Sequence, residues 1–159
     1  MENSSLCLLI YEEEKFIKKD DIKVLQEVQK NTDMAIKAIH SISGKVDDEK
    51  LSAEITRQGM RYAEIYNRAT DRLMEGKAKS YQSSGIQDIM LKSAIEGNML
   101  LNNSTGHIAE MMIQGSNRGL TDMWKIINHH ENTGHQSMEI AKELMDFEEK
   151  NIEILKKYL

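Results

Sequence analysis

No proline occurs anywhere in these 159 residues. The strongest helix breaker is therefore absent, and every stop along the chain must be made by glycine or by short polar residues. Cysteine is nearly absent too: Cys7 stands alone, which excludes an internal disulfide and a thiolate zinc cluster. Aromatic residues are 5% of the chain and offer little on which nucleic-acid bases could stack. A basic face is also missing. The formal net charge is -5 and lysines and arginines are interleaved with acids, so no nucleic-acid partner is expected. Long hydrophobic runs are lacking as well. The apolar stretch nearest the start, Leu6 to Tyr11, is short and has no basic residue before it. It therefore reads as neither a membrane span nor a secretion signal. Cytoplasmic residence is the expectation, with residues 1–19 forming an N-terminal helical arm that docks on the remainder or on a second chain. There is no Gly-x-Ser-x-Gly elbow and no phosphate-binding glycine loop.

What is present is helix-forming: eleven methionines with abundant Ile, Leu, Ala, Glu and Lys. Polar breaks stand at "SGKVDDEK" near residue 45, "EGKAKSYQSSG" at 75–85, "QGSNRG" at 114–119 and "ENTG" at 131–134. Between them apolar residues recur at steps of three and four, the spacing of an amphipathic helix. The first helix, about 20–43, carries Leu25, Val28, Thr32, Ala35, Ile39 and Ile42. The second, about 48–75, carries Leu51, Ile55, Gln58, Tyr62, Ile65, Ala69 and Leu73. Asp47 or Asp48 is placed to cap its start and Gly76 its end. The third begins near Ser84 and runs through Ile86, Met90, Ser93, Gly97, Leu100, Ser104, Ile108, Met111 and Gly115. The fourth, about 136–158, presents Met138, Ala141, Met145, Glu148, Ile152, Leu155 and Leu159. Residues 20–159 read as one all-α domain, an antiparallel up-down-up-down four-helix bundle.

The third helix contains a fault in phase. At about 100° per residue its stripe holds one face as far as Gly115. Leu120, Met123, Trp124 and Ile127 then fall on another face. A straight helix cannot bury both against a single neighbour, so a kink or break is expected at Gly115–Gly119, with a short helix following to about residue 131. The displaced residues Leu120, Met123, Trp124 and Ile127 form a candidate interface, with homodimerisation through helical surfaces as the expected partnership.

In helix number, order and length the chain resembles the ferritin-like four-helix bundles, and most of all small bacterial members of that class. The stretches that carry the resemblance are "HIAEMMIQGSNRGL" (107–120) and "LMDFEEKNIEILKKYL" (144–159). Such a resemblance implies a di-metal centre, with a Glu-x-x-His on each of two helices and a carboxylate from each of the other two. This chain has no Glu-x-x-His. Glu64 with Asn67 and Glu148 with Asn151 have the spacing but carry asparagine in place of imidazole. Of these, only Glu148 lies in the middle of an apolar stripe, so the usual di-iron ligand set is lacking.

A carboxylate buried without a partner costs several kcal/mol, so Glu148 needs one. His107, Tyr62, Gln58 and Arg118 are the candidates, and the expectation is a buried polar group of Glu148, His107, Tyr62 and Gln58. A second cluster is "NHHENTGHQSME" (128–139), in which His130, His135 and Glu139 form a possible set for a divalent metal. The same stretch also suits a helix connection, with Asn132 and Gly134 in the turn and Thr133 as a cap. The favoured function is a non-catalytic interaction or structural protein with no cofactor. The alternative is a metal-binding or oxidoreductase bundle using Glu148 and His107, or the His129–Glu139 cluster.

Overall fold

Residues 16–159 are described in a computed structural model. Among them are five α-helices and no strand: α1 (Lys19–Ile42), α2 (Glu49–Glu75), α3 (Gly85–Leu101), α4 (Thr105–His129) and α5 (His135–Leu155). The expected docking of Leu6–Tyr11, like most of the N-terminal arm, lies outside the described residues. No described helix is long and apolar enough to cross a membrane.

Local signals set most helix ends. Asp48 caps α2 by accepting from the Leu51 amide at 2.8 Å, and Ser84 caps α3 through the Gln87 amide. Asp21, in the first turn of α1, accepts from the Lys18 amide at 2.7 Å and from the Gly134 amide at 2.8 Å. One buried carboxylate thus satisfies an amide at the start of α1 and another at the start of α5, where helix dipoles favour negative charge. Thr133, expected as the cap of α5, is not that residue. Gly134 holds the cap position and the Thr133 hydroxyl donates back to the His130 carbonyl.

α1 is central, touching every other helix; α2 packs also on α5, and α5 on α4, while α3 packs principally on α1. The core is formed where these faces meet. Val24, Leu25 and Val28 of α1 meet Leu51, Ile55, Ile65 and Leu73 of α2, all of them buried. The stripe from Leu51 to Leu73 is buried at all seven positions, as its spacing predicts. Each such side chain contributes about 1.5–3 kcal/mol relative to exposure. Glu143 on α5 bridges to Arg61 and Arg68 of α2 at the surface of the same interface.

Two expectations are corrected here. The chain breaks at residues 102–104, and α4 runs without interruption through Gly115 and Gly119. Asn102 is extended and its side chain accepts from the Ser104 amide, while the Ser104 hydroxyl accepts from the His107 amide and starts α4. This break resets the helical phase. From Ile108 the inward positions Ile108, Met112, Ser116, Gly119 and Met123 follow at steps of four and three, and no kink is needed. Glycine at 119 serves close approach: a Cβ there would stand 3.1 Å from Asn31 Oδ1 and 3.4 Å from Glu148 Oε1. The second correction concerns the expected inward stripe of the third helix. Ile86, Met90 and Leu100 are 73%, 67% and 88% exposed, and α3 instead turns Ile95 and Met99 onto the core, with Leu91 on the same inner side.

Gly76 ends α2, yet its φ of -81° suits any residue, and the left-handed position is Lys77 at φ 53°. What Gly76 provides is room. A Cβ there would lie 2.1 Å from Cγ2 and 2.5 Å from Cβ of Ile17. Gly76→Ala should therefore expel Ile17 and lower stability by about 1–3 kcal/mol, read as a drop in the urea midpoint. An unchanged midpoint would show that Ile17 does not pack there.

Candidate functional site

The inner faces of α2, α4 and α5 converge on one buried polar centre. Tyr62 follows Gln58 and Ile55 on the apolar stripe of α2, so its ring enters the core edge-on to Phe147, with centroids 4.9 Å apart. Its hydroxyl donates to Glu148 Oε2 at 2.7 Å, and Asn151 Nδ2, one turn further along α5, donates to the same hydroxyl at 3.3 Å. From α4, the Ser116 hydroxyl faces the same centre and favours the ionised forms of Glu148 and Tyr62. Tyr62 and Glu148 are each 3% exposed and Asn151 is fully buried.

Burial dominates the electrostatics. Desolvation raises the Glu148 carboxyl above its ordinary 4.5, opposed in part by Ser116 and by the bond from Tyr62. Tyr62 is pushed well above its ordinary value, first by burial and then by the neighbouring carboxylate. No cation contributes at Glu148. The centre is a carboxylate held by neutral donors, able to accept further donors or to take up a proton.

The residues expected around Glu148 divide. Tyr62 is its direct partner. Gln58 is buried on the same stripe, but its amide donates to Glu54 Oε1 at 2.8 Å. His107 is not brought to Glu148. It sits in the first turn of α4, nine residues and about 13 Å of rise before Ser116, and faces Glu110 at 3.8 Å. Arg118 stays on the surface because α4 does not bend inward there. Sequence reasoning missed Ser116 and Asn31, whose roles depend on which helices become neighbours. Asn151 was visible three residues after Glu148 and occupies the inward position.

A cleft of about 350 Å³ leads from the surface to this centre between α1, α3 and α4. Its walls are mostly apolar, including Ala35, Ala38 and Ile39 of α1, Ile95 of α3 and Met112 of α4. Glu148, Tyr62, Ser116 and Gly119 lie at its inner end and Arg118 and Asp122 line it too. Apolar walls with a few convergent polar groups are the usual character of a small-molecule site.

The histidine stretch is built as a connection. His130 donates to Asp20 at 3.1 Å, the Asn132 amide donates to the same carboxylate, and His129 donates to the Lys125 carbonyl. The bond from His130 holds Asp20 below the usual carboxylate range. His135 projects into solvent, 3.7 Å from Glu139, while His130 faces α1. Among the described residues no three or more His, Cys, Asp or Glu side chains gather as a metal-binding group, so His130, His135 and Glu139 are not assembled into one. In the candidate interface Met123 is fully buried, Leu120 and Ile127 pack half-buried against the core, and Trp124 is 53% exposed. These four do not form a common outward face, because α4 is continuous and turns Met123 inward. Comparison with family models, with curated proteins and with solved structures finds no match to this chain.

Proposed function

We propose that the protein is a ferritin-like four-helix-bundle protein without a di-iron centre, a non-catalytic interaction protein that pairs with a second copy of itself through the outer face of α3. In this reading α1, α2, α5 and α4 form the bundle, supported by the closed circuit of contacts from α1 to α2 to α5 to α4 and back to α1. Glu148 is the one carboxylate buried midway along these helices among the described residues, which is too few for two metals.

The observation that carries the interaction reading is the outer face of α3. Ile86, Ile89, Met90, Leu100 and Leu101 are each at least 67% exposed on a helix of 17 residues. A contiguous apolar face of this kind is a binding surface or a liability. Its sequence is self-complementary for an antiparallel partner. Large residues stand at both ends, and Ser93 and Gly97 stand between them. With a two-fold axis near residues 93 and 94, Met90 of one copy lies opposite Gly97 of the other, and Ile86 opposite Leu101. Lys92 then approaches the second copy's Glu96, an ion pair of the kind these two already make within one helix.

Gly97 separates the outcomes. A Cβ there meets nothing within 4 Å in a single chain, so in a monomer Gly97→Ala should only strengthen the helix, by about 0.5–1 kcal/mol. In the paired state Gly97→Leu fills the space that Met90 needs and should weaken association at least tenfold, about 1.4 kcal/mol or more. Sedimentation of the wild type, Gly97→Leu and Ile86→Glu measures this. A monomeric wild type, or a dimer unmoved by both substitutions, would remove α3 as the interface.

A further inference from the structure

We infer that the cleft between α1, α3 and α4 is a binding site for a small aliphatic primary amine, its ammonium group received beside Gly119 and its chain lying along the apolar walls. This goes beyond the self-association reading and uses the opposite, inward side of α3.

Two acceptor oxygens converge on one point. The position that a Cβ on Gly119 would occupy is 3.4 Å from Glu148 Oε1 and 3.1 Å from Asn31 Oδ1. They come from different helices, α5 and α1, and lie close together beside the glycine with which α4 passes them. Asn31 is fixed with its oxygen toward this point, since its Nδ2 donates to the Glu27 carbonyl at 3.1 Å and to Glu27 Oε1 at 3.0 Å. Glu148 is fixed by the Tyr62 hydroxyl on Oε2 at 2.7 Å. The group that fits between two acceptors is a donor, and one of them is a buried carboxylate near which no cationic side chain is placed. An ammonium supplies both the protons and the missing charge, which is the stronger form of such a bond. Beyond the head the lining is mostly apolar, with Ala35, Ala38, Ile39 and Ile95 along it and Asn98 and Gln114 as its neutral polar members, so the remainder of the ligand is mainly hydrocarbon. Arg118 and Asp122 also line the cleft and offset one another in charge, so a single charged head is the simplest match.

Calorimetric titration of the full chain with n-hexylamine, n-hexanol and hexanoate is the test. Hexylamine should bind saturably at one site, hexanol more weakly, and hexanoate not at all. Glu148→Gln keeps the shape of the side chain and removes its charge, so it should weaken hexylamine at least about tenfold and leave hexanol unchanged. Gly119→Ala places a methyl at the meeting point of the two oxygens and should weaken both ligands. Ala35→Leu, which narrows the apolar wall without touching the polar end, should do the same and serves if either of the others fails to fold. Equal binding of hexylamine and hexanol, hexylamine binding unmoved by Glu148→Gln, or no binding of any probe overturns the proposal. Ile86→Glu, which addresses self-association alone, should leave hexylamine binding intact, so failure of one reading is distinguishable from failure of the other.

Discussion

Met123→Lys is expected to unfold the protein, while Trp124→Lys, its immediate neighbour, should change stability by no more than about 0.5–1 kcal/mol. Met123 is fully buried on the inner face of α4, in one cluster with Ile108, Leu144 and Val24. Lysine there loses the contacts of the thioether and places an ammonium in the core, at a cost of about 4–5 kcal/mol or more. That reaches the lower end of the stability of a domain, about 5–15 kcal/mol. Trp124 stands about 100° round the helix and is 53% exposed, so a charge there reaches water. Circular dichroism and urea midpoints of the two variants decide the matter. A folded Met123→Lys with a near-normal midpoint would mean that α4 presents a different face to the core.

The second large effect concerns the polar centre and changes with pH. Burial raises the Glu148 carboxyl in the folded state above its ordinary 4.5, so the unfolded chain releases this proton first as pH rises. Stability contributed by this group is therefore full below about pH 4.5 and declines above it until the folded carboxyl has also ionised. Glu148→Gln, which cannot ionise and still accepts from Tyr62, should exceed the wild type by about 1–2 kcal/mol at pH 8 and converge with it at pH 4. Tyr62→Phe acts in the opposite direction. It removes the 2.7 Å donor to Oε2, and should cost about 1.5–3 kcal/mol at pH 8 and about half that at pH 4, where the carboxyl is neutral. In the double variant the part of the pH dependence that Glu148 contributes should vanish, leaving only that of groups elsewhere such as Asp20. Denaturant midpoints across this range measure all four proteins. Parallel curves for wild type and Glu148→Gln would show that Glu148 is not desolvated.

Much of the centre is legible in the amino-acid sequence. Glu148 and Tyr62 lie on stripes whose three-and-four spacing is unbroken, and a helix has only one inward face to offer along such a stripe. Gln58, on that same stripe, was legible as buried but not as to its partner, since Glu54, one turn back, reaches it first. His107 misled because it belongs to the first turn of α4, and nine residues place it both about 13 Å along the axis and half a turn round the helix from Ser116. Ser116 and Asn31 carried no local signal. Each is an ordinary polar residue until a second helix passes beside it.

The amino-acid sequence by itself determined the all-α class, the span of α2 with an aspartate cap at 47 or 48, and the inward placement of Glu148, since these depend on spacing within one helix. Only the tertiary structure decided that the chain breaks at Asn102–Ser104, that Gly119 is a point of close approach, that Met123 is core and that α3 shows an apolar face to solvent. The physical reason is that periodicity measures angles within an uninterrupted helix. A break resets the phase wherever it falls, and several polar or glycine-bearing stretches are equally able to make one. Which of them does so is settled by the energy of packing the resulting faces against their neighbours, a quantity no local stretch of sequence contains.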